Sequence, residues 1–201
     1  MIPGFGKQSI TIGSGPHCEI HVGGPGVAAE HARVVHQGGR QPVFVHAGTG
    51  HPPATRPPLP PGSTQPFDFR TQFMVGQTPV PNAHPALALM LMQQGALPAT
   101  PGQIVFGREP ARAHVVIQHS SVSGQHATVS LSPLSITDHG STSGTWIAGN
   151  RLAANQATAL DQNALVAIGP VPLPVPLALQ LAQALGGGAA AASPQAAAPA
   201  G

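Results

Sequence analysis

Three polar segments in the second half of the chain hold the residues best suited to chemistry. Arg108 follows Gly107, Ser123 lies further along, and a third segment covers residues 138–146. Arginine presents a rigid fork of N–H donors that fits phosphate oxygens, and a serine hydroxyl adds one more donor. Donors of this kind bind an anion, but they include neither an activated nucleophile nor an acid and base pair. The segments therefore favour a binding module over an enzyme.

The elements that must position these segments read as β-strands. Short apolar runs such as 43–45, 128–131 and 134–137 alternate with a period of two and end near Gly or Pro. Long helices are unfavourable in a chain with 24 Pro and 25 Gly. We interpret residues 177–185 as a last strand, frayed into a turn of helix. The pattern predicts an all-β chain built from antiparallel β-sandwiches.

The chain also repeats itself at an offset of about 94 residues. The matching segments are 10–13 with 104–107, 27–32 with 122–127, 75–81 with 168–174, and 88–91 with 178–181. Matches that keep one order along the chain predict two copies of one fold, at residues 1–94 and 98–185. The proline-rich stretch 48–65 is expected to be a long loop of the first copy. Residues 186–201 contain only Gly, Ala, Pro, Ser and Gln, which predicts a disordered tail.

In this order, the three polar segments resemble the forkhead-associated (FHA) domain, a β-sandwich that binds phosphothreonine peptides. By position, Arg108 and Ser123 match the family's phosphate-contacting Arg and Ser, and Thr142 matches its hydroxyl residue near the phosphate. Gly124 stands where the family often has a second ligand-contacting side chain. Ser143 replaces the Asn that holds the peptide backbone in the family. The resemblance predicts a site whose phosphate-binding part is intact and whose hold on the peptide backbone is weakened.

The resemblance assigns supporting roles to three further residues. Gly107 allows a sharp turn at the strand end, His126 matches a family His that braces the loops, and Gly144 belongs to the third loop. In the first copy, Ser14 and Ala28 occupy the positions of the phosphate ligands, although the bracing histidine is retained as His31. Residues 48–53 have lost the third-loop pattern. We therefore expect a degenerate FHA-like copy that packs, dimerises or binds something unphosphorylated.

Composition restricts the partners. Charged residues make up 7% of the chain, against about 25% in ordinary globular proteins, and the net charge is +2. With no Lys/Arg cluster, the sequence predicts no nucleic-acid surface.

The sequence also bears on localisation and assembly. Its apolar runs are far shorter than the ~20 residues of a membrane span, and no signal peptide is recognisable, so a cytoplasmic protein is expected. Low charge favours self-association or a larger assembly. An Ala-, Pro- and Gly-rich, Lys-poor composition indicates a GC-rich bacterial genome.

Two further patterns in the sequence raise the alternatives of a metal site and a hydrolase. His17, Glu19 and His21 would share one face of a strand, but a half-buried strand with Cys18 turned inward is the favoured interpretation. Residues 140–144 have the outline of a nucleophile elbow, yet the central residue is Thr142 instead of Ser. The sequence therefore predicts no metal, no cofactor and no enzyme.

Two functions remain. The first is an adaptor that binds a threonine-phosphorylated protein through the second FHA domain, in Ser/Thr kinase signalling. The alternative is a structural or scaffolding subunit whose contacts do not depend on phosphate. Arg108 and Ser123 favour the first function, whereas the low charge and Ser143 in place of Asn favour the second.

Overall fold

A computed structural model describes residues 4–36, 41–47 and 61–185. The expected tail at 186–201, residues 48–60 of the expected long loop, and the segment 48–53 of the first copy lie outside the described residues. The described chain is mostly β-strand, with two short α-helices. This confirms the all-β class.

Five strands form the sheet of the N-terminal half: β1 (Ser9–Gly13), β2 (Ile20–His21), β3 (Ala32–Val35), β4 (Val43–His46) and β5 (Thr64–Pro66). Their order in the sheet is β2-β1-β3-β4-β5. Strands β1 and β2 run parallel, and the remaining neighbours run antiparallel. Alternate residues such as Ile10, Ile12 and Phe44 are fully buried, as the period of two requires.

The chain then forms a small hairpin and a helix. The hairpin pairs β6 (Met74–Val75) with β7 (Thr78–Pro79). Helix α1 (Pro85–Met90) begins after His84, whose Nδ1 accepts a hydrogen bond from the Ala86 amide at 3.2 Å. A proline at the first helical position costs no backbone hydrogen bond, which explains why the helix begins there. Strand β8 (Met92–Gln94) follows directly.

Nine further strands make up most of the C-terminal half: β9 (Gln103–Gly107), β10 (Val115–Ile117), β11 (Ala127–Leu131), β12 (Leu134–Asp138), β13 (Thr145–Ile147), β14 (Asn150–Arg151), β15 (Ala157–Ala159), β16 (Leu165–Ile168) and β17 (Val171–Pro174). The predicted strands at 128–131 and 134–137 are confirmed by β11 and β12.

These strands form a six-stranded sheet, β15-β12-β11-β9-β10-β8, and a four-stranded sheet, β14-β13-β16-β17. Strand β8 joins the six-stranded sheet by pairing with β10, so this short segment from the 1–94 range contributes to the sheet of the C-terminal half.

The last element is a helix, so the expected strand at 177–185 was wrong. Helix α2 (Val175–Leu185) buries Leu177, Ala178, Leu181 and Ala182. Their spacing places them on one helical face, which packs against β9 and β17. Its proline lies in the first turn, where the missing N–H has no intrahelical partner to lose. A short apolar run does not distinguish a strand from a buried helix by periodicity alone.

The two large sheets share one strand arrangement. The order β2-β1-β3-β4-β5 in the first has the same parallel and antiparallel pattern as β10-β9-β11-β12-β15 in the second. Helix α1 contacts both β1 and β17, and buried side chains of the two halves form one continuous apolar cluster. None of the helices within 4–36, 41–47 and 61–185 is long and apolar enough to cross a membrane.

Candidate functional site

The first site residue lies at the end of β9, where two loops are joined through their backbones. The Arg108 amide donates to the Ser123 carbonyl at 2.8 Å, and the Glu109 amide donates to the Gly124 carbonyl at 3.1 Å. A Cβ on Gly107 would collide with the Gly124 carbonyl, so this close approach requires glycine. Three of the predicted site residues, Arg108, Ser123 and Gly124, are therefore neighbours, together with the supporting Gly107.

The third loop reaches the same place through a side chain. The Thr142 amide donates to Ser123 Oγ at 3.2 Å. Arg108 and Thr142 are exposed, and Ser123 is half-buried. No ion pair or side-chain hydrogen bond joins the Arg108 guanidinium to any residue that the structure describes. Arg108, Ser123 and Thr142 thus come together at one end of the sandwich.

The side chain of His126 connects the loop that contains Ser123 to the third loop. It is fully buried, its Nδ1 accepts from the Ser123 amide at 3.1 Å, and its Nε2 lies 3.2 Å from the Gly144 carbonyl. The acceptor role of Nδ1 leaves the ring hydrogen on Nε2, which donates to that carbonyl. Burial lowers the pKa of His126 below its usual 6.5, although the Gly144 carbonyl and Asp138 act in the opposite direction. A neutral ring is the form that makes both bonds.

Asp138 fixes the third loop by accepting three hydrogen bonds. These come from the Ser141 amide at 2.9 Å, the Ser141 hydroxyl at 2.6 Å and the Thr145 hydroxyl at 2.7 Å. Burial by itself raises the pKa of Asp138, but the hydrogen bonds from Ser141 and Thr145, with the nearby His126, lower it overall. The loop is therefore anchored at both ends by an ionised carboxylate.

Arg151, to which the sequence analysis gave no role, braces the same loop. Its Nη2 donates to the carbonyls of Ser141 at 3.1 Å and Thr142 at 3.3 Å. Gly144 has a φ of +77°, and a Cβ there would lie 2.5 Å from Arg151 Nε. Glycine is thus required both by its backbone conformation and by the guanidinium above it. The signal in the sequence was one cation after the third loop, which alone does not reveal this contact.

The half-buried Ser143 lies between a tryptophan and a turn of the four-stranded sheet. Trp146 Nε1 donates to the Ser143 carbonyl at 3.0 Å. The Gly169 amide, from the turn between β16 and β17, donates to the Gly144 carbonyl at 2.9 Å. These contacts place Ser143 at the rim of the loop cluster, next to the surface formed by β13 and β16.

The N-terminal half repeats the backbone connections at the corresponding positions. The Ser14 amide donates to the Ala28 carbonyl at 3.0 Å, and the Gly15 amide donates to the Ala29 carbonyl at 2.9 Å. His31 Nδ1 accepts from the Ala28 amide at 3.1 Å. The loops are joined in the same way, but Ser14 stands at the position of Arg108 and Ala28 at the position of Ser123.

The second bracing group differs between the halves. His46 lies opposite Ala32 in the first sheet, as Asp138 lies opposite Ala127 in the second. His31 Nε2 and His46 Nδ1 are buried without a hydrogen-bond partner among the described residues. An imidazole therefore stands where the other half has the carboxylate that anchors its third loop.

The acidic and histidine side chains around β2 have separate partners. Glu19 accepts from the Thr11 amide at 2.8 Å and from Lys7 Nζ at 3.0 Å. Burial opposes these bonds, yet they lower the pKa of Glu19 to about 2. His21 Nε2 lies 3.0 Å from the Ser14 carbonyl. Within the part of the chain that the structure describes, no group of three His, Cys, Asp or Glu side chains could hold a metal ion.

Comparison with protein families identifies the C-terminal half. Residues 104–169 match the FHA domain. The chain therefore contains one FHA domain, which begins in β9 and ends just after β16. Arg108, Ser123, Gly124, Thr142 and Ser143 all lie inside it. The FHA domain is a recognition module.

Solved structures and curated proteins were compared as well. The chain is similar to the FHA domain of CT664 from Chlamydia trachomatis, with 25% identity, a TM-score of 0.33, and coverage of 38% of this chain and 75% of that one. It is similar to the FHA-2 domain of a Mycobacterium tuberculosis ABC transporter, with 31% identity, a TM-score of 0.31, and coverage of 41% and 72%. Mycobacterium tuberculosis EmbR, in complex with a low affinity phosphopeptide, is 20% identical, with a TM-score of 0.33 and coverage of 36% and 19%. Among curated proteins, none matches the chain.

Proposed function

We propose that the chain binds threonine-phosphorylated peptides through the FHA domain at residues 104–169. The observation that carries this proposal is the junction of three loops that His126 holds together. The junction brings the exposed Arg108 next to Ser123 and Thr142. Nothing in it resembles a nucleophile with its base, so recognition is the function that these groups support best.

The chemistry of the junction suits a phosphate dianion. The guanidinium of Arg108, which has no partner among the described residues, offers parallel N–H donors to two phosphate oxygens. The Thr142 amide already occupies a lone pair of Ser123 Oγ, which orients the hydroxyl so that its hydrogen remains available to a third oxygen. Ser143 has a shorter reach than the Asn of typical FHA domains, so we expect a weaker hold on the peptide backbone.

The N-terminal half completes the proposal as a degenerate FHA-like copy. Its sheet order, its backbone bonds between Ser14 and Ala28, and the bracing His31 support a common scaffold over 1–94 and 98–185. Without an arginine and a serine at the ligand positions, this copy would contact partners without using phosphate. The whole chain would then act as an adaptor downstream of a Ser/Thr kinase, which supplies the phosphothreonine.

A second candidate is a structural subunit whose contacts are independent of phosphate. The observation that favours it is the low share of charged residues, 7% of the chain. A surface with few charges is prone to association because charge repulsion between molecules is weak. Self-association or membership of a larger assembly would follow. The two candidates differ in whether a partner must be phosphorylated.

Calorimetric titration of the full chain separates them. The ligands are degenerate peptide pools centred on phosphothreonine, phosphoserine or unmodified threonine. We expect binding of the phosphothreonine pool, weakened about 10- to 150-fold by Arg108→Ala because charge-assisted hydrogen bonds are lost. Arg112→Ala is the matched control, because Arg112 is an exposed arginine nearby that pairs with Glu109. Equal heats for all three pools, or equal effects of the two variants, would refute the phosphopeptide function.

A further inference from the structure

An apolar groove separates the two halves of the molecule beside the third loop. Its N-terminal wall includes Phe69, Asn82 and Ala83, and its C-terminal wall includes Trp146 and Leu165. We name it the Trp146 groove. Its volume of about 760 Å³ lies in the range of natural binding sites. It is therefore large enough for one or more side chains of a partner.

The Trp146 groove exposes apolar surface that packing elsewhere does not cover. Leu165 is 46% exposed, and among the described residues it is the one large hydrophobic side chain with such exposure. Trp146 and Phe69 are only half-buried. Contiguous exposed apolar groups mark interaction sites, and aromatic side chains dominate the binding energy of such sites.

The N-terminal wall is held in a fixed position. The Asn82 side-chain amide donates to the carbonyls of Phe69 at 3.1 Å and Thr71 at 2.6 Å. The Phe69 ring packs edge-on against Phe67 with their centroids 5.0 Å apart, and Phe67 belongs to the core. A wall tied to the core in this way is preorganised for a ligand, so little ordering entropy would be lost on binding.

The groove is continuous with the proposed phosphothreonine site. Trp146 lines the groove and donates to the Ser143 carbonyl at 3.0 Å. Gly169 also lines it, and a Cβ at this position would lie 3.4 Å from the Ser143 Cβ. The groove therefore opens beside the third loop, within reach of a peptide bound there.

We propose that the Trp146 groove binds an apolar side chain that flanks the phosphothreonine of the partner. The N-terminal half would then take part in recognition through Phe69 and Ala83, although it lacks phosphate ligands of its own. The inference rests on the proposed function, because the occupant is the flank of the same peptide. Burial of that side chain also compensates for the presence of Ser143, whose hydroxyl can make fewer hydrogen bonds to the peptide backbone than the amide of an Asn.

The test uses the full chain and phosphothreonine peptides in which Leu or Ser occupies each flanking position in turn. We expect Leu at one or more flanking positions to tighten binding about 10-fold over the all-Ser peptide, the value of one buried aliphatic side chain. Leu165→Glu and Ala83→Glu should each remove this gain. Gln162→Glu adds the same charge at an exposed position near Leu165 and should change neither affinity.

The outcomes distinguish the proposed role of the groove from the phosphopeptide binding on which it rests. Phosphate-dependent binding without any preference for Leu overturns the groove and leaves the phosphopeptide function standing. Binding without phosphate dependence overturns both. An effect of Leu165→Glu without an effect of Ala83→Glu removes the N-terminal half from recognition. Sedimentation of the wild type as a dimer that Leu165→Glu dissociates would assign the groove to a second copy. Melting curves of each variant verify that it is folded.

Discussion

The loop junction at Ser14, Ala28 and His31 and the one at Arg108, Ser123 and His126 share a backbone but differ in their exposed side chains. In both, an amide donates across to the neighbouring loop and a buried imidazole accepts from the second loop. The groups that build the junction are thus backbone atoms, glycine and histidine. The groups that would bind phosphate are separate from them and can be lost without loss of the fold.

The two junctions also differ in how firmly they are braced. His126 makes a bond at each ring nitrogen, and Asp138 anchors the third loop. His31 bonds through Nδ1, while its Nε2 and His46 Nδ1 have no partner among the described residues. Both protonation and truncation should therefore affect the two halves unequally.

The largest expected difference concerns the bracing histidines. His126→Ala leaves the Ser123 amide without a partner, at roughly 1–3 kcal/mol, and removes one of the two donors to the Gly144 carbonyl, at about 0.5–1.5 kcal/mol. The variant should therefore cost about 1.5–4.5 kcal/mol of unfolding free energy. His31→Ala leaves one amide unpaired and should cost less. Urea denaturation measures both, and peptide titration should show lost affinity for His126→Ala alone. A larger cost for His31→Ala would contradict the difference in bracing.

The comparison can be tested by transfer of the ligand side chains. Ser14→Arg with Ala28→Ser rebuilds the arginine and the serine on the N-terminal scaffold, in a background of Arg108→Ala that silences the other site. We expect phosphothreonine-peptide affinity about 10-fold above that of Arg108→Ala alone, since each charge-assisted bond adds about 1.5–3 kcal/mol and the third-loop anchor is missing. Calorimetry with inorganic phosphate as competitor measures the gain. No gain in a folded variant would show that the junctions differ in more than their side chains.

The proposed phosphothreonine site can be tested at the third loop. Ser143→Asn restores an amide that donates and accepts at once, and we expect a gain of about 2- to 10-fold in phosphopeptide affinity. Ser120→Asn, on an exposed loop residue outside the junction, is the control. Unchanged affinity in Ser143→Asn would mean that the peptide backbone does not approach this position.

As the pH falls, the N-terminal half should lose stability before the C-terminal half. Burial lowers the pKa of the histidines in question, so the folded state keeps them neutral while the unfolded chain titrates near pH 6.5. Their contribution to stability is complete above about pH 6.5 and is lost as the pH falls from there towards the lowered folded values. Hydrogen-exchange protection factors, which are corrected for the intrinsic rate at each pH, should therefore fall more in β3 and β4 than in β11 and β12 between pH 7 and pH 5. An equal fall in both halves would contradict this. The histidines are His31, His36, His46 and His84 in the first half, and His119 and His126 in the second.

Local patterns allowed much of this fold to be predicted. The strands at 128–131 and 134–137 follow from the period of two. By contrast, helix α2 does not follow from the sequence, because an apolar run such as Leu177–Leu181 suits either a strand or a helix until its packing partner is known. The pairing of β8 with a strand of the C-terminal half is likewise a tertiary outcome.

The candidate site shows the same division. Arg108, Ser123 and Thr142 were found because their types and order resemble a known family. The bracing by Arg151 and the wall at Phe69 arise from contacts between distant segments. Neither position has a residue type that signals its partner, so sequence reasoning had no means to join them.

The most direct test observes both junctions in one experiment. Backbone amide resonances of the isotopically labelled full chain are followed while a phosphothreonine peptide is added, beside its unphosphorylated counterpart. We expect saturable, phosphate-dependent shifts at Arg108, Ser123 and Thr142, with Ser14 and Ala28 unchanged. Shifts at Ser14 and Ala28, or the same shifts with the unphosphorylated peptide, would contradict the claim that phosphate recognition belongs to the C-terminal junction alone.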